Sequence, residues 1–447
     1  MAVSTIVNLS STPKIPSLAT SSRQSMRSNL KVLIAPSGFK ECLGPEEVSN
    51  YIYEGLRRVL KDSNALLHKA PLHDGGEGFC KALVAVRGGE MRYLEVMGPD
   101  RAPTNSFFGL IGQDRKTAVL EMAAAAGLRL VPKDCRNPTV TTTYGVGQLI
   151  EKALDLGCTH IIIGCGDSGT SDGGAGMLQA LGARLLDNDG NELEPGGGGG
   201  ALNSLGSMSL IDLHPRLRDG SVKIEAVCNI KNVLCGPDGV ARVYGPQKGA
   251  TPEQVESLAS GLDRLAQVAK SLLNIDLANK PGSGASGGLG AGLMILGGEL
   301  RPRSDAIDEY FQLKDLFKTK WDVVITAEGS LDYQSAKGKM TVEIARRARA
   351  QGAHVVALAG TIGQGAECLY DAGFNAFLSI SEGPMSLEEA IKSCPMLLTN
   401  AAEKTIRMLC MGMSLQCAEP QTATRDKSQR NQVYNGGGHN ASSWNTS

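Results

Sequence analysis

From Lys31 onward, short apolar runs alternate with longer stretches of helical period. "KVLIAP", "ALLHKAPL", "MRYLEVMG", "TAVLEMA" and "HIIIG" read as strands, and so do "WDVVITAEG", "HVVALAG" and "AFLSI" near the end. Short apolar runs closed by turn residues are the pattern of strands buried on both faces. Between them, "GPEEVSNYIYEGLRRVL" predicts a helix with Pro45 near its start and acids in its first turn. "GFCKALVAV", "TTTYGVGQLIEKALDLG", "GGAGMLQALGARLLD" and "MTVEIARRARAQG" predict further helices. "EPGGGGGALNSLGSM", from Glu194 to Met208, reads as a loop, and no internal repeat is found. The alternation predicts an α/β fold with a mostly parallel sheet covered on both faces. Ligands sit at the carboxyl ends of such strands. Most glycine and acidic clusters of this chain follow a strand.

The length of 447 residues suits two or three domains. A net charge of -1 gives no global field to recruit nucleic acid or an acidic membrane. Aromatics at 4% argue against base-stacking surfaces. No apolar run reaches the roughly 18 residues of a transmembrane helix. The odd count of 11 cysteines and the absence of CxxC pairs fit reduced core residues better than disulfides. The first 30 residues hold no acid and are rich in serine, which suits a plastid transit peptide; the alternative is an unstructured cytoplasmic extension. The polar segment 414–447 reads as a disordered tail.

The densest glycine cluster is "GCGDSGTSDGGAGM", Gly164 to Met177. Gly164, Gly166 and Gly169 match G-x-G-x-x-G, and Asp187 follows about 18 residues later, which is a dinucleotide-binding spacing. Asp167 inside the turn opposes a pyrophosphate there, and the same spacing recurs at Gly282, Gly284 and Gly287. A nicotinamide-dependent oxidoreductase is therefore the weaker reading. There is no G-x-x-x-x-G-K-[ST] match. A second reading starts from the acids: Asp74 and Glu77, Asp167 and Asp172, Glu328 and Asp332 lie on glycine-bearing loops. Such carboxylates suit Mg²⁺ bound with substrate phosphates, or a base that takes a hydroxyl proton. Lys40, Lys248, Lys337 and Lys339 on similar loops suit anion binding. Together these residues suggest phosphoryl transfer. Each also has a plain structural reading. Asp74, Glu77 and Asp172 could cap helices, Glu328 and Asp332 could close a turn, and the lysines could be solvated. His73 reads as a structural histidine.

The ordered set "SGFKE", "DGGEG", "EMAAAAGL", "TTTYGVG", "SDGGAGM", "GPQKGATPE" and "ITAEGSLD" resembles the bacterial-type glycerate kinases, over Lys31 to about Met413. The resemblance implies ATP- and Mg²⁺-dependent phosphorylation of D-glycerate, with 2-phosphoglycerate as the usual product. It implies two α/β domains, one with a Rossmann- or flavodoxin-like sheet, and an active site in the cleft between them. The expected boundaries are 31–75 plus 285–413 for the Rossmann-like domain and 76–284 for the second. Carried over by motif, the expected catalytic residues are Asp172, Asp74 and Lys40. Cofactor contacts fall on Gly75, Gly76, Gly78, Gly173, Gly174, Lys248 and Lys337, and metal contacts on Glu77, Glu328 and Asp332. The expected partners are the small-molecule substrate and ATP, without nucleic acid or membrane, and a homodimer is compatible. The sequence departs from the family pattern at Ser37, Gly38, Asn229 and Asp167. Those departures keep open a related hydroxy-acid kinase or a non-catalytic metabolite-binding relative.

Overall fold

A computed structural model describes residues 30–415 except 40, 41, 74, 334 and 336–338. Lys40, Asp74 and Lys337, the N-terminal segment and the tail from residue 416 therefore lie outside the described residues. The strands are β1 (Lys31–Ile34), β2 (Leu66–Lys69), β3 (Glu90–Met97), β4 (Pro103–Ile111), β5 (Thr117–Glu121) and β6 (His160–Gly164). They continue as β7 (Arg184–Asp187), β8 (Leu205–Ser209), β9 (Lys223–Cys228) and β10 (Glu299–Pro302). The last three are β11 (Val323–Leu331), β12 (His354–Ile362) and β13 (Ala376–Ser379).

A five-stranded sheet has the order β13-β12-β11-β1-β2 and is parallel throughout. From β1 the chain goes to β2 on one side and later fills β11, β12 and β13 on the other. That reversal leaves a crevice at the carboxyl ends of β1 and β11. A six-stranded sheet has the order β10-β9-β6-β5-β4-β3, parallel from β10 to β5 and antiparallel from β5 to β3. The antiparallel strand β4 was not read from the sequence.

The continuous apolar strands are explained by burial on both faces. Ile161 and Ile163 of β6 point into one core, Ile162 into another. Leu33 of β1 enters the second core, while Val32 and Ile34 enter a third. The second core joins the two sheets: Val119, Ile162 and Val227 pack in the same cluster as Leu33, Val324 and Val355.

The helices that frame these cores include α1 (Pro45–Leu60), α2 (Phe79–Arg87), α3 (Tyr144–Asp155), α4 (Ala175–Ala180) and α5 (Pro252–Leu273). They continue with α6 (Ala285–Ile295), α7 (Arg303–Tyr310), α8 (Met340–Ala350) and α9 (Leu387–Leu415). In α1, Val48, Ile52, Leu56 and Leu60 recur every four residues and are buried. Its start is fixed by Pro45 and by Glu47, whose carboxylate accepts from Gly44 N at 2.9 Å.

Two sequence expectations change. "GGAGMLQALGARLLD" is the short helix α4 followed by strand β7, because Gly182 turns left-handed between them. The stretch read as a loop supplies the partner: Leu185 of β7 pairs with Met208 of β8. Apolar runs of this length fit either period, and the pairing decided it. In addition, β10 pairs with β9 and α6 packs into the core of the six-stranded sheet. Residues 285–302 thus sit with that sheet. The ten described cysteines form no disulfide. Among the described residues no helix is long and apolar enough to cross a membrane.

Candidate active site

The glycines of the 164–174 loop approach other loops of this protein. A Cβ on Gly166 would stand 2.6 Å from Gly76 Cα and 2.8 Å from Gly76 N. The backbones at Gly75 and Gly76 and at Gly164 to Gly166 are therefore pressed together. Asp167, at φ 50°, bridges them: its carboxylate accepts from Glu77 N at 3.2 Å, and its carbonyl from Leu128 N at 2.9 Å. Glu77 itself points outward and pairs with Arg129 at 2.8 Å.

Asp172 is fully buried at the start of α4. Its Oδ2 accepts from Thr143 N and Thr143 Oγ1, both at 2.8 Å, from Gly176 N at 3.2 Å and from Thr142 Oγ1 at 3.5 Å. Its Oδ1 accepts from Gly174 N at 3.2 Å. Burial pushes its carboxyl above the ordinary range, against the opposing pull of these hydrogen bonds. Asp172, one of the expected catalytic residues, is thus enclosed, and it ties the loop to the threonine run before α3.

Glu121, at the end of β5, was not singled out in the sequence. It is buried and accepts from Gly78 N at 3.2 Å and Cys80 N at 2.9 Å, so the anion at the start of α2 is the protein's own. Burial pushes its carboxyl up to about 7, although these two N–H groups favour the ionised form. The available signal was an acid inside the apolar run "AVLEMA". Three of the five glycine amides expected at a cofactor are similarly occupied. Gly78 N goes to Glu121, Gly174 N to Asp172, and Gly173 N to the Gly287 carbonyl at 3.0 Å.

Lys248 follows Pro246 in a short 3₁₀ turn and is buried. Its Nζ donates to Ser168 Oγ at 2.9 Å and to the Thr170 carbonyl at 2.5 Å. It forms no ion pair among the described residues.

The second group lies at the end of β11. Glu328 pairs with Lys339 Nζ at 2.5 Å and accepts from Thr341 Oγ1 at 3.2 Å. Lys339 also donates to the Ser330 carbonyl at 3.1 Å. Asp332 accepts from Ser335 N at 3.2 Å. Ser37 N, after β1, donates to the Ala327 carbonyl at 2.8 Å, so both strand ends border one crevice. Among the described residues, no three acidic, histidine or cysteine side chains converge as a metal cluster. Glu77 sits with the other loop group, against Arg129. A magnesium ion needs only one or two carboxylates beside substrate phosphates, so the pair at β11 is chemically suitable.

The chain as a whole has relatives among known proteins. The model of the glycerate kinase family matches residues 32–410. The chain belongs to the glycerate kinase family. Among the relatives of this family, a glycerate kinase of Bacillus subtilis (strain 168) is 42% identical over 81% of this chain and 93% of its own length. A glycerate 2-kinase of Escherichia coli (strain K12) is 39% identical over 86% of this chain and 99% of its own length. A crystal structure from Salmonella typhimurium LT2, assigned as glycerate kinase 2, aligns with TM-score 0.69 and 39% identity, covering 86% of this chain and all of its own. The chain is thus a kinase by family, with a small-molecule substrate, and the oxidoreductase reading of the Gly164 loop falls.

Two departures from the family pattern have structural roles here. Asp167 is the bridge to Glu77, and Asn229 accepts from Lys231 N at 3.1 Å. His73 is buried, stacks on Phe311 at 5.8 Å and pairs through Nε2 with Glu46 at 2.7 Å. A second missed acid, Glu225 on β9, is held by Lys223, Tyr310 and His160. Burial opposes its charge, yet those partners bring its carboxyl down to about 2. It ties α7 to the six-stranded sheet.

Proposed function

We propose that this glycerate kinase transfers the γ-phosphoryl group of ATP to D-glycerate, with 2-phosphoglycerate as product. Family membership carries the reaction class. The observation that supports a site is the partly exposed charged group at β11, beside the crevice next to β1. We place Glu328 and Asp332 as holders of Mg²⁺ together with the nucleotide phosphates. That ion supplies charge neutralisation on the transferring group. Lys339 fixes the carboxylate of Glu328. Lys248 is the anion contact on the opposite group of loops. Asp172 and Glu121 are positioning residues, because their carboxylates are occupied by donors of the fold. With Asp172 enclosed, Asp74 is the remaining carboxylate of the expected catalytic set to take the hydroxyl proton, and Lys40 and Lys337 are further anion contacts.

We divide the chain into a Rossmann-like unit from 31 to about 75 plus 303 onward, and a second α/β unit up to Pro302, since β10 pairs with β9. Closure of the two around substrate would exclude water as a competing acceptor. For the first 30 residues we retain plastid targeting.

The test is the purified chain with ATP, Mg²⁺ and D-glycerate, following ADP release and identifying the product by NMR. ADP with 2-phosphoglycerate is expected. 3-Phosphoglycerate would overturn the regiochemistry, and no turnover by folded protein would favour another hydroxy acid or the non-catalytic reading.

A further inference from the structure

Lys248 is a buried cation whose hydrogen-bond shell holds two neutral oxygens, Ser168 Oγ and the Thr170 carbonyl. A neutral amine has two N–H groups, and both are then used. A charged ammonium has three, and the third needs another acceptor. The surrounding loops carry hydroxyls with the same deficit. Thr170 Oγ1, Ser171 Oγ and Ser286 Oγ are buried and have no hydrogen-bond partner among the described residues. Thr170 and Ser171 are themselves fully buried. Orphan polar groups in a native interior call for a bound water or ion.

The facing backbone is unusual as well. Ser286, Gly287 and Gly288 lie in succession at φ 52°, 71° and 91°, before α6 becomes regular. A non-glycine residue held left-handed is a strain that folds retain mainly at functional sites. A Cβ on Gly287 would stand 1.9 Å from the Thr170 carbonyl and 3.1 Å from Lys248 Nζ. The turn is thus pressed onto the lysine and its loop, and Ser286 borders the contact.

We infer that Lys248 and the hydroxyls of Ser168, Thr170 and Ser286 form a closed oxyanion site for a phosphoryl or carboxylate group. The ligand class rests on the kinase reading, whose reaction carries both oxyanions. The shared requirement is a negative group with two or three oxygens, small enough to be enclosed.

Burial pushes the Lys248 ammonium down to about 7, against a smaller upward pull from Asp172, the charged group that bears on it. In the empty site the amine loses its proton as pH rises through that value. An oxyanion binds the charged form and gives the third N–H its acceptor. Binding therefore takes up protons above pH 7, and affinity falls as pH rises further.

The test is calorimetric titration of the full chain with sodium sulfate, whose own charge is constant over this range, between pH 6.5 and 8.5 in buffers of different ionisation heat. The expected result is proton uptake approaching one per sulfate, and a Kd about tenfold weaker at pH 8.5 than at pH 7.5. Lys248→Met should abolish the binding. Ser286→Gly removes the hydroxyl while suiting the left-handed backbone, so it folds, and it should weaken sulfate by about 3- to 10-fold. Competition by inorganic phosphate or by D-glycerate tells which of the two groups the site takes. No sulfate binding, or pH-independent binding unchanged in both variants, overturns the site and leaves the hydroxyls to water. Turnover of ATP and D-glycerate separates the two ideas. Turnover with variants that bind sulfate as wild type keeps the kinase and sinks the site, whereas Lys248-dependent binding without turnover does the reverse.

Discussion

Two sheets in this molecule carry acids at or just after the carboxyl ends of their strands, and these acids are held differently. At the six-stranded sheet, Asp172 and Glu121 are 0% and 2% exposed, and each accepts from donors of the fold. At the five-stranded sheet, the Glu328 and Lys339 side chains keep 14% and 33% exposure and form an ion pair. The first group spends its acids on holding loops. The second leaves them partly exposed. Carboxylates near similar strand ends thus have different surroundings, and burial separates them.

The contrast makes graded predictions. Asp172→Ala leaves the amides of Thr143, Gly174 and Gly176 without their acceptor inside the protein. Stability should fall by about 3–5 kcal/mol in urea denaturation. A folded Asp172→Asn variant that loses about 100-fold or more in kcat at undiminished stability would instead restore Asp172 as the base.

Glu121 gives a pH signature. Its carboxyl is raised to about 7 in the folded protein, above the ordinary 4.5. The unfolded chain therefore releases its proton first, and stability falls as pH rises from about 4.5 to 7, by about 3 kcal/mol in all. Glu121→Gln should flatten that part of the stability profile. A profile identical to wild type would show that Glu121 is ionised throughout.

Gly166→Ala places a methyl group against the backbone of Gly76. A loss of about 1–3 kcal/mol is expected from separating the loops. The smallest stability effect belongs to the other sheet: Glu328→Gln should cost less than about 1 kcal/mol in thermal or urea melts, because the pair is partly exposed. Its turnover with ATP·Mg²⁺ should nevertheless drop steeply. A variant with unchanged turnover would remove Glu328 from the active site and erase the contrast between the sheets.

Much of this was legible in the chain itself. The both-face apolar runs determined the parallel strands, since β1, β6 and β11 each feed two cores. The order of motifs determined the family, because seven short patterns in one sequence constrain each other far more than any one does. What the sequence could not decide was partnership. "GARLLD" fits a helix or a strand until β8 lies beside it. The Gly164 loop reads on paper as a row of unassigned amides, and only the fold puts Gly76 against Gly166 and gives the Gly173 and Gly174 amides acceptors within the protein. Asp172 and Glu328 are equal acids on paper. Only the tertiary structure buries one completely among five donors and leaves the other partly exposed beside a lysine, because hydrogen bonding and desolvation come from residues distant in sequence.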